Sequence, residues 1–189
     1  MKPNRKEEII LTAAQLFKEK GYSAVSMRDL AQELGIKAAS LYNHIHSKQE
    51  ILASIIMQVA NRFTLHMEEV SPQPIPAIQK LEEIIRMHID LTIQKTDFLA
   101  CMNNDWMHLG EENKGNYIEM RIDYETKFRE ILQEGIAAKE LEESDPEIML
   151  FSILSTLRTL YLWYAKNKNI NPDVLKTDLT KTLLQGIIV

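Results

Sequence analysis

The sequence predicts an all-α fold. Apolar residues recur at three- and four-residue spacing over several long windows, and no run shows the sustained alternation of a strand. The 189 residues include only 6 Gly and 6 Pro. Half of those prolines fall in the single hexapeptide SPQPIP, so breakers are rare elsewhere. The composition, 45% hydrophobic and 26% charged, suits an ordinary globular protein.

The helices announce their starts. Asn4 with Glu7, Ser26 with Asp29 and Ser47 with Glu50 each place a capping residue three positions before an acid. Such a pair can satisfy two backbone N–H groups that a helix start leaves unpaired. A first helix is expected over residues 5–20, with Ile9, Ile10, Ala13, Leu16 and Phe17 on one face and Gly21 ending it. Short helices follow over 27–34 and 38–44. A long one runs from after Ser47 to about 69, where SPQPIP stops it. Further helices are expected near 76–95, 97–108, 113–138, 146–167 and 173–187. The last two are marked by Asp145-Pro146 and Asn171-Pro172, a cap before a proline at the first helical position. The functional boundary is placed at Ser47: residues 1–47 as one domain, 48–189 as the other.

Charge separates the same two parts. Residues 1–48 carry eight Lys and Arg against five acids, a net of +3; the remainder carries 14 against 22, a net of −8. A basic head on an acidic body points to DNA contact by the head. Cys101 is the lone cysteine, so no intrachain disulfide can form. The opening MKPNRKEEII shows no apolar signal segment, and the apolar runs are expected to be too short for a bilayer; a cytoplasmic protein without membrane contact is expected.

The stretch SMRDLAQELGIKAASLYNHIHSKQEIL carries the functional signal. Leu30 and Leu34 lie one turn apart, as do Ala31 and Gly35, and small residues there let two backbones approach. Gly35 can adopt positive φ at the turn, and Ile36 and Leu41 continue the apolar seam. This is the pattern of a helix-turn-helix, whose second helix lies in the major groove of DNA. Lys37, Ala38, Ala39, Ser40 and Asn43 stand at or near the start of that helix, the end that meets base edges. Ser26, Arg28, Tyr42, His44 and Lys48 carry donors suited to phosphate oxygens. The free amides at the helix start of Lys48 and Gln49 suit another phosphate.

The order S-M-R-D-L-A-x-x-L-G-I-x-x-x-S-L-Y-x-H-I-x-S-K-x-x-I-L resembles the TetR/AcrR family of bacterial transcriptional regulators, over about residues 8–53. The resemblance implies that Tyr42 and Lys48 contact phosphate and that Lys37 to Asn43 read bases. Ile45 stands where that family more often has Phe, an apolar-for-apolar exchange. The resemblance also implies a helical ligand-binding body whose last two long helices pair with a second copy.

The body agrees with that expectation. Ile148, Met149, Phe151, Ile153, Leu154, Leu157, Leu160, Tyr161, Trp163 and Tyr164 make one helix apolar nearly all round, and Leu175, Leu179, Leu183 and Ile187 follow at heptad-like spacing. Together they predict a two-fold homodimer, and hence a palindromic operator in double-stranded DNA. A small-molecule effector is expected among Met87, Leu91, Met102, Trp106, Met120, Arg121 and Tyr124, with Phe98 and Met107 nearby. Arg121 could hold an anionic headgroup or extend to the surface. The stretch NYIEMRIDYETKFREIL resembles the regulators that answer to fatty acyl-CoA or lipid-like ligands. No catalytic set is found. His66, His88, His108 and Cys101 lack the close spacing of a metal site, so neither metal nor cofactor is expected. The alternative class is an α-helical lipid or small-molecule carrier, or an enzyme, that keeps the helix pair for packing only.

Overall fold

A computed structural model describes residues 4–188. The chain forms α1 (Arg5–Lys20), α2 (Met27–Glu33), α3 (Ala38–Tyr42), α4 (Lys48–Val70), α5 (Ala77–Gln94), α6 (Thr96–Asn104), a 3₁₀ turn at Trp106–His108, α7 (Glu111–Ala137), α8 (Pro146–Lys166) and α9 (Pro172–Leu184). Leu141 and Ile188 make an isolated antiparallel bridge. The caps act as the sequence predicts. Asn4 and Ser26 form complete capping boxes with Glu7 and Asp29, and Asp145 and Asn171 cap α8 and α9 just ahead of their prolines. The third box is shifted by one residue. Ser47 Oγ accepts from Glu50 N–H, but the Glu50 carboxylate reaches back to the amide of His46.

One expected helix is split. The segment foreseen over 97–108 closes at Asn104, where Asp105 N–H bonds Cys101 C=O, and restarts as a tighter turn through His108 N–H to Asp105 C=O. The kink puts the Asp105 side chain in the interior.

The chain forms two compact units that do not follow chain order. One holds the chain up to Val59 together with Asp97–Tyr117; the other holds Ala60–Thr96 and the chain from Ile118. The boundary foreseen at Ser47 therefore falls inside the first unit. Burial on one face of α4 continues well past Ser47, through Ile51, Leu52, Ile55 and Ile56, so the packing does not stop there. The α6 segment, assigned to the body on sequence, belongs to the first unit. Its ties there include an ion pair between Lys18 and Asp97 at 2.6 Å and a Cys101 thiol bond to the carbonyl of Ala14.

In the second unit α5 packs against both α8 and α9. Its core runs from Leu81, Ile84, Ile85 and Ile89 through Phe128 and Leu132 to Ile153, Leu154 and Leu157. Leu175 and Ile187 of the heptad-like series are buried in this core, with Leu179 and Leu183 packed against it. That series therefore serves the subunit's own interior. On α8 and α9 the exposed large apolar side chains are instead Ile148, Phe151, Leu162, Trp163 and Val174; Leu65, Ile118, Ile122 and Ile188 are exposed elsewhere in the unit. By length and composition α8 could cross a bilayer, with a mean hydropathy of 1.3, contrary to the expectation that no apolar stretch is long enough. Its buried face packs on α5 as a core helix would.

Candidate nucleic-acid interface

The first unit builds a helix pair from its core outward. Ile9, Ala13 and Phe17 of α1 are buried with Leu30 of α2, Leu41 of α3 and Ile45 just beyond. Between α2 and α3 the chain makes a Schellman turn: Gly35 N–H bonds Gln32 C=O and Ile36 N–H bonds Ala31 C=O. Gly35 sits at φ 64°, the left-handed conformation that the turn needs. Leu41 and Ile45 face inward, so the rest of α3 must face out. Lys37, Ala39, Ser40, Tyr42, Asn43 and His44 are exposed and Ala38 is half-buried. Small side chains beside Lys37 and Asn43 leave that face open to close approach.

The expected phosphate donors divide into two groups. Arg28, Tyr42 and His44 are exposed. Ser26 and Lys48 are engaged within the chain. Ser26 Oγ accepts from Asp29 N–H and donates to the Asp29 carboxylate. Hydrogen bonds from Ser26 hold Asp29 below the usual carboxylate range.

Lys48 is the larger departure. Its Nζ donates to the carbonyls of Tyr22 at 2.8 Å and Val25 at 2.7 Å, and lies 4.2 Å from the centre of the Tyr22 ring. The same ring stacks on His108 at 5.2 Å and meets Phe17 edge-on at 5.1 Å. Burial raises the Tyr22 hydroxyl above its usual value, and the Asp105 charge adds to this. Burial also pushes the Asp105 carboxyl up, against the pull of the Tyr22 backbone amide and the charges of His108 and Lys48. Lys48 therefore ties the start of α4 to the α1–α2 loop. An ammonium has three donors, so one remains for a phosphate. No local sequence signal announces this arrangement, because its members lie far apart along the chain.

The expected effector residues are not brought together in one unit. Met102 and Trp106 lie in the first; Met87, Leu91, Met120, Arg121 and Tyr124 lie in the second. Met102 and Leu91 are buried, while Met87, Trp106, Met120 and Tyr124 are partly so. Arg121 is exposed and pairs with Glu125 one turn on, at 3.1 Å, so it takes the surface course. Sequence reasoning missed His88, whose Nε2 lies 2.9 Å from the Tyr124 hydroxyl. In the sequence His88 stands out only as one of three well-separated histidines without metal-ligand spacing.

A buried three-helix support presenting one short, small-residue helix, joined by long helices to an apolar bundle, defines a helix-turn-helix DNA-binding regulator. Residues 9–55 match the model of bacterial regulatory proteins of the tetR family, and residues 74–187 match the tetracyclin repressor-like C-terminal domain. The chain belongs to the TetR family, whose members are transcriptional regulators and not enzymes. The transcriptional repressor KstR2 of Rhodococcus jostii is 22% identical over 188 residues, 98% of this chain and 92% of that one. The structure of the ketosteroid regulator KstR2 of Mycobacterium tuberculosis superposes with a TM-score of 0.92 at 17% identity, over 100% of this chain and 97% of that one. The fatty acid metabolism regulator of Bacillus subtilis is 24% identical over 182 residues, 95% of this chain and 94% of that one. The structure of AibR with isovaleryl coenzyme A and operator DNA gives a TM-score of 0.79 at 19% identity, over 95% and 97%.

Proposed function

We propose that the protein is a cytoplasmic repressor that binds a palindromic operator as a homodimer and leaves it when a largely apolar effector binds the body. The observation that carries this reading is the outward face of α3, with Leu41 and Ile45 locked behind it. Lys37, Ala38, Ala39, Ser40 and Asn43 read base edges; Arg28, Tyr42, His44 and the third donor of Lys48 hold phosphates, with Ser26 fixing the start of α2.

The dimer is formed by α8 and α9. Ile148 and Phe151 of α8 are 62% and 70% exposed, and Leu162 and Trp163 continue the apolar face about three to four turns on. A second copy covers this face by the same residues in a two-fold arrangement. The effector assignment is supported by the relatives' printed subjects, a ketosteroid regulator, a fatty acid regulator and an isovaleryl coenzyme A complex. Release requires an effector that binds one arrangement of the two DNA-binding heads better than the other.

Fluorescence-anisotropy titration on the intergenic DNA upstream of the coding region, with excess unrelated DNA, tests the reading. Tight, competitor-resistant binding is expected. If no intergenic fragment survives the competitor, even across the neighbouring genes, the reading fails.

A further inference from the structure

Among the described residues the interior of the second unit is apolar except at Lys80, His88, Thr92 and Thr180. Lys80 is matched by the Ser71 carbonyl and the Glu134 carboxylate, and His88 and Thr92 stand one turn apart on α5. His88 of α5 and Tyr124 of α7 share a hydrogen bond of 2.9 Å, against the ring of Phe63 at 4.3 Å from His88. Burial lowers the His88 ring to about 3, and the charge of Arg158 adds to this. Burial raises the Tyr124 hydroxyl. Both groups are therefore uncharged at neutral pH.

A turn further along α5 lies Thr92, 1% exposed, whose Oγ1 has no hydrogen-bond partner. A helical threonine ordinarily returns its hydroxyl to the carbonyl one turn earlier. Thr96 does so to Thr92, and Thr126 and Thr182 do the same elsewhere in this unit. Thr92 does not, nor does Thr180 of α9. An orphaned buried hydroxyl is costly unless something satisfies it, and of the two only Thr92 stands one turn from His88 on the same helix.

The charges nearby are already matched. Arg158 and Arg121 both bond Glu125. Burial works against the Glu125 carboxylate, yet those two hydrogen bonds hold it below its usual range. A second carboxylate at this place would meet the first one's charge and find both guanidinium groups engaged.

We propose that His88, Tyr124 and Thr92 form the polar end of the effector site, and that they take an uncharged carbonyl oxygen on an apolar molecule, a ketone or a thioester, in preference to a free carboxylate. This rests on the effector reading above. The donor inventory fits. A neutral imidazole, a phenol and a threonine hydroxyl bring three donors in all; the internal His88–Tyr124 bond uses one, leaving two for the two lone pairs of a carbonyl.

The experiment uses the full-length protein and isothermal titration calorimetry with four probes: a fatty acyl-CoA, the free fatty acid of the same chain length, a steroid ketone, and that steroid with the ketone removed. At least one carbonyl probe should bind about tenfold or more tightly than its carbonyl-free or carboxylate counterpart, as one or two hydrogen bonds would give. Binding of the acyl-CoA alone assigns the carbonyl to a thioester; binding of the ketone alone assigns it to a ketone. Tyr124→Phe and Thr92→Val should each weaken that probe by about tenfold. Thr92→Val removes a hydroxyl without a partner, so it should also raise the melting temperature, an outcome that a structural role for Thr92 would reverse. The proposal is overturned if the free acid binds as well as the thioester, if both variants keep wild-type affinity, or if no probe binds while operator binding is intact. Loss of operator binding by the wild-type protein would instead overturn the regulator reading.

Discussion

Tyr42 and Lys48 look alike on sequence, as two donors aimed at phosphate, but the structure separates them. Tyr42 is 47% exposed. Tyr42→Ala should weaken operator binding while thermal melting stays within a degree or two, a surface effect of under about 0.5 kcal/mol. Lys48 also holds two carbonyls of the α1–α2 loop. Lys48→Ala should therefore lower stability as well, by about 1–3 kcal/mol for lost charge-assisted bonds. It should also reduce the salt slope of operator binding by about one unit. Unchanged melting of the alanine variant would show that the loop does not depend on the lysine. His88 gives a second residue-scale expectation. Its folded value near 3 lies below the ordinary 6.5. Between those values the unfolded chain binds a proton that the folded chain refuses. Its contribution is thus complete above pH 6.5 and is lost as pH falls toward 3, with a slope of up to about 1.4 kcal/mol per pH unit. Urea unfolding of wild type and His88→Gln between about pH 4.5 and 7 should show the shallower slope in the variant; parallel curves would refute this.

At the scale of the element, α7 makes the tightest approach among the glycines. A Cβ on Gly135 would stand 2.7 Å from Leu141 Cδ1 and 2.9 Å from Ala77 Cβ. Alanine gains about 1 kcal/mol over glycine in a helix. Overlap with a neighbouring Cβ costs more, since overpacking runs to about 1–3 kcal/mol. Gly135→Ala should therefore melt several degrees lower in calorimetry, and a rise would mean that α5 and α7 yield easily. Helix positions and starts were legible in sequence, because caps and prolines act within one turn. The break at Asp105 was not, since Asp105 is a polar residue that only the folded chain buries. The heptad-like series of α9 misled for a related reason. Periodicity tells that a face is buried but not by which partner, and α9 with the turn after it places Leu175 and Ile187 in its own subunit's core.

For the whole molecule, the exposed apolar face of α8 is the expected site of dimer formation. Phe151→Glu should shift the protein from dimer to monomer in sedimentation velocity and weaken binding to a two-half-site operator far more than to a single half-site. A variant that remains a dimer would move the interface elsewhere. The all-helical class, the order of the helices and the outward face of α3 could all be read from the chain itself, because caps, turn glycines and the Ser26–Leu52 motif are local. The motif is also dense enough to exclude accidents of packing. Three things depended on folding: the grouping of α6 with the first unit, the engagement of Lys48, and the meeting of His88 with Tyr124. Each joins residues more than 20 positions apart. Such pairings are chosen by what the folded chain brings within hydrogen-bonding distance, and no spacing along the sequence encodes that choice.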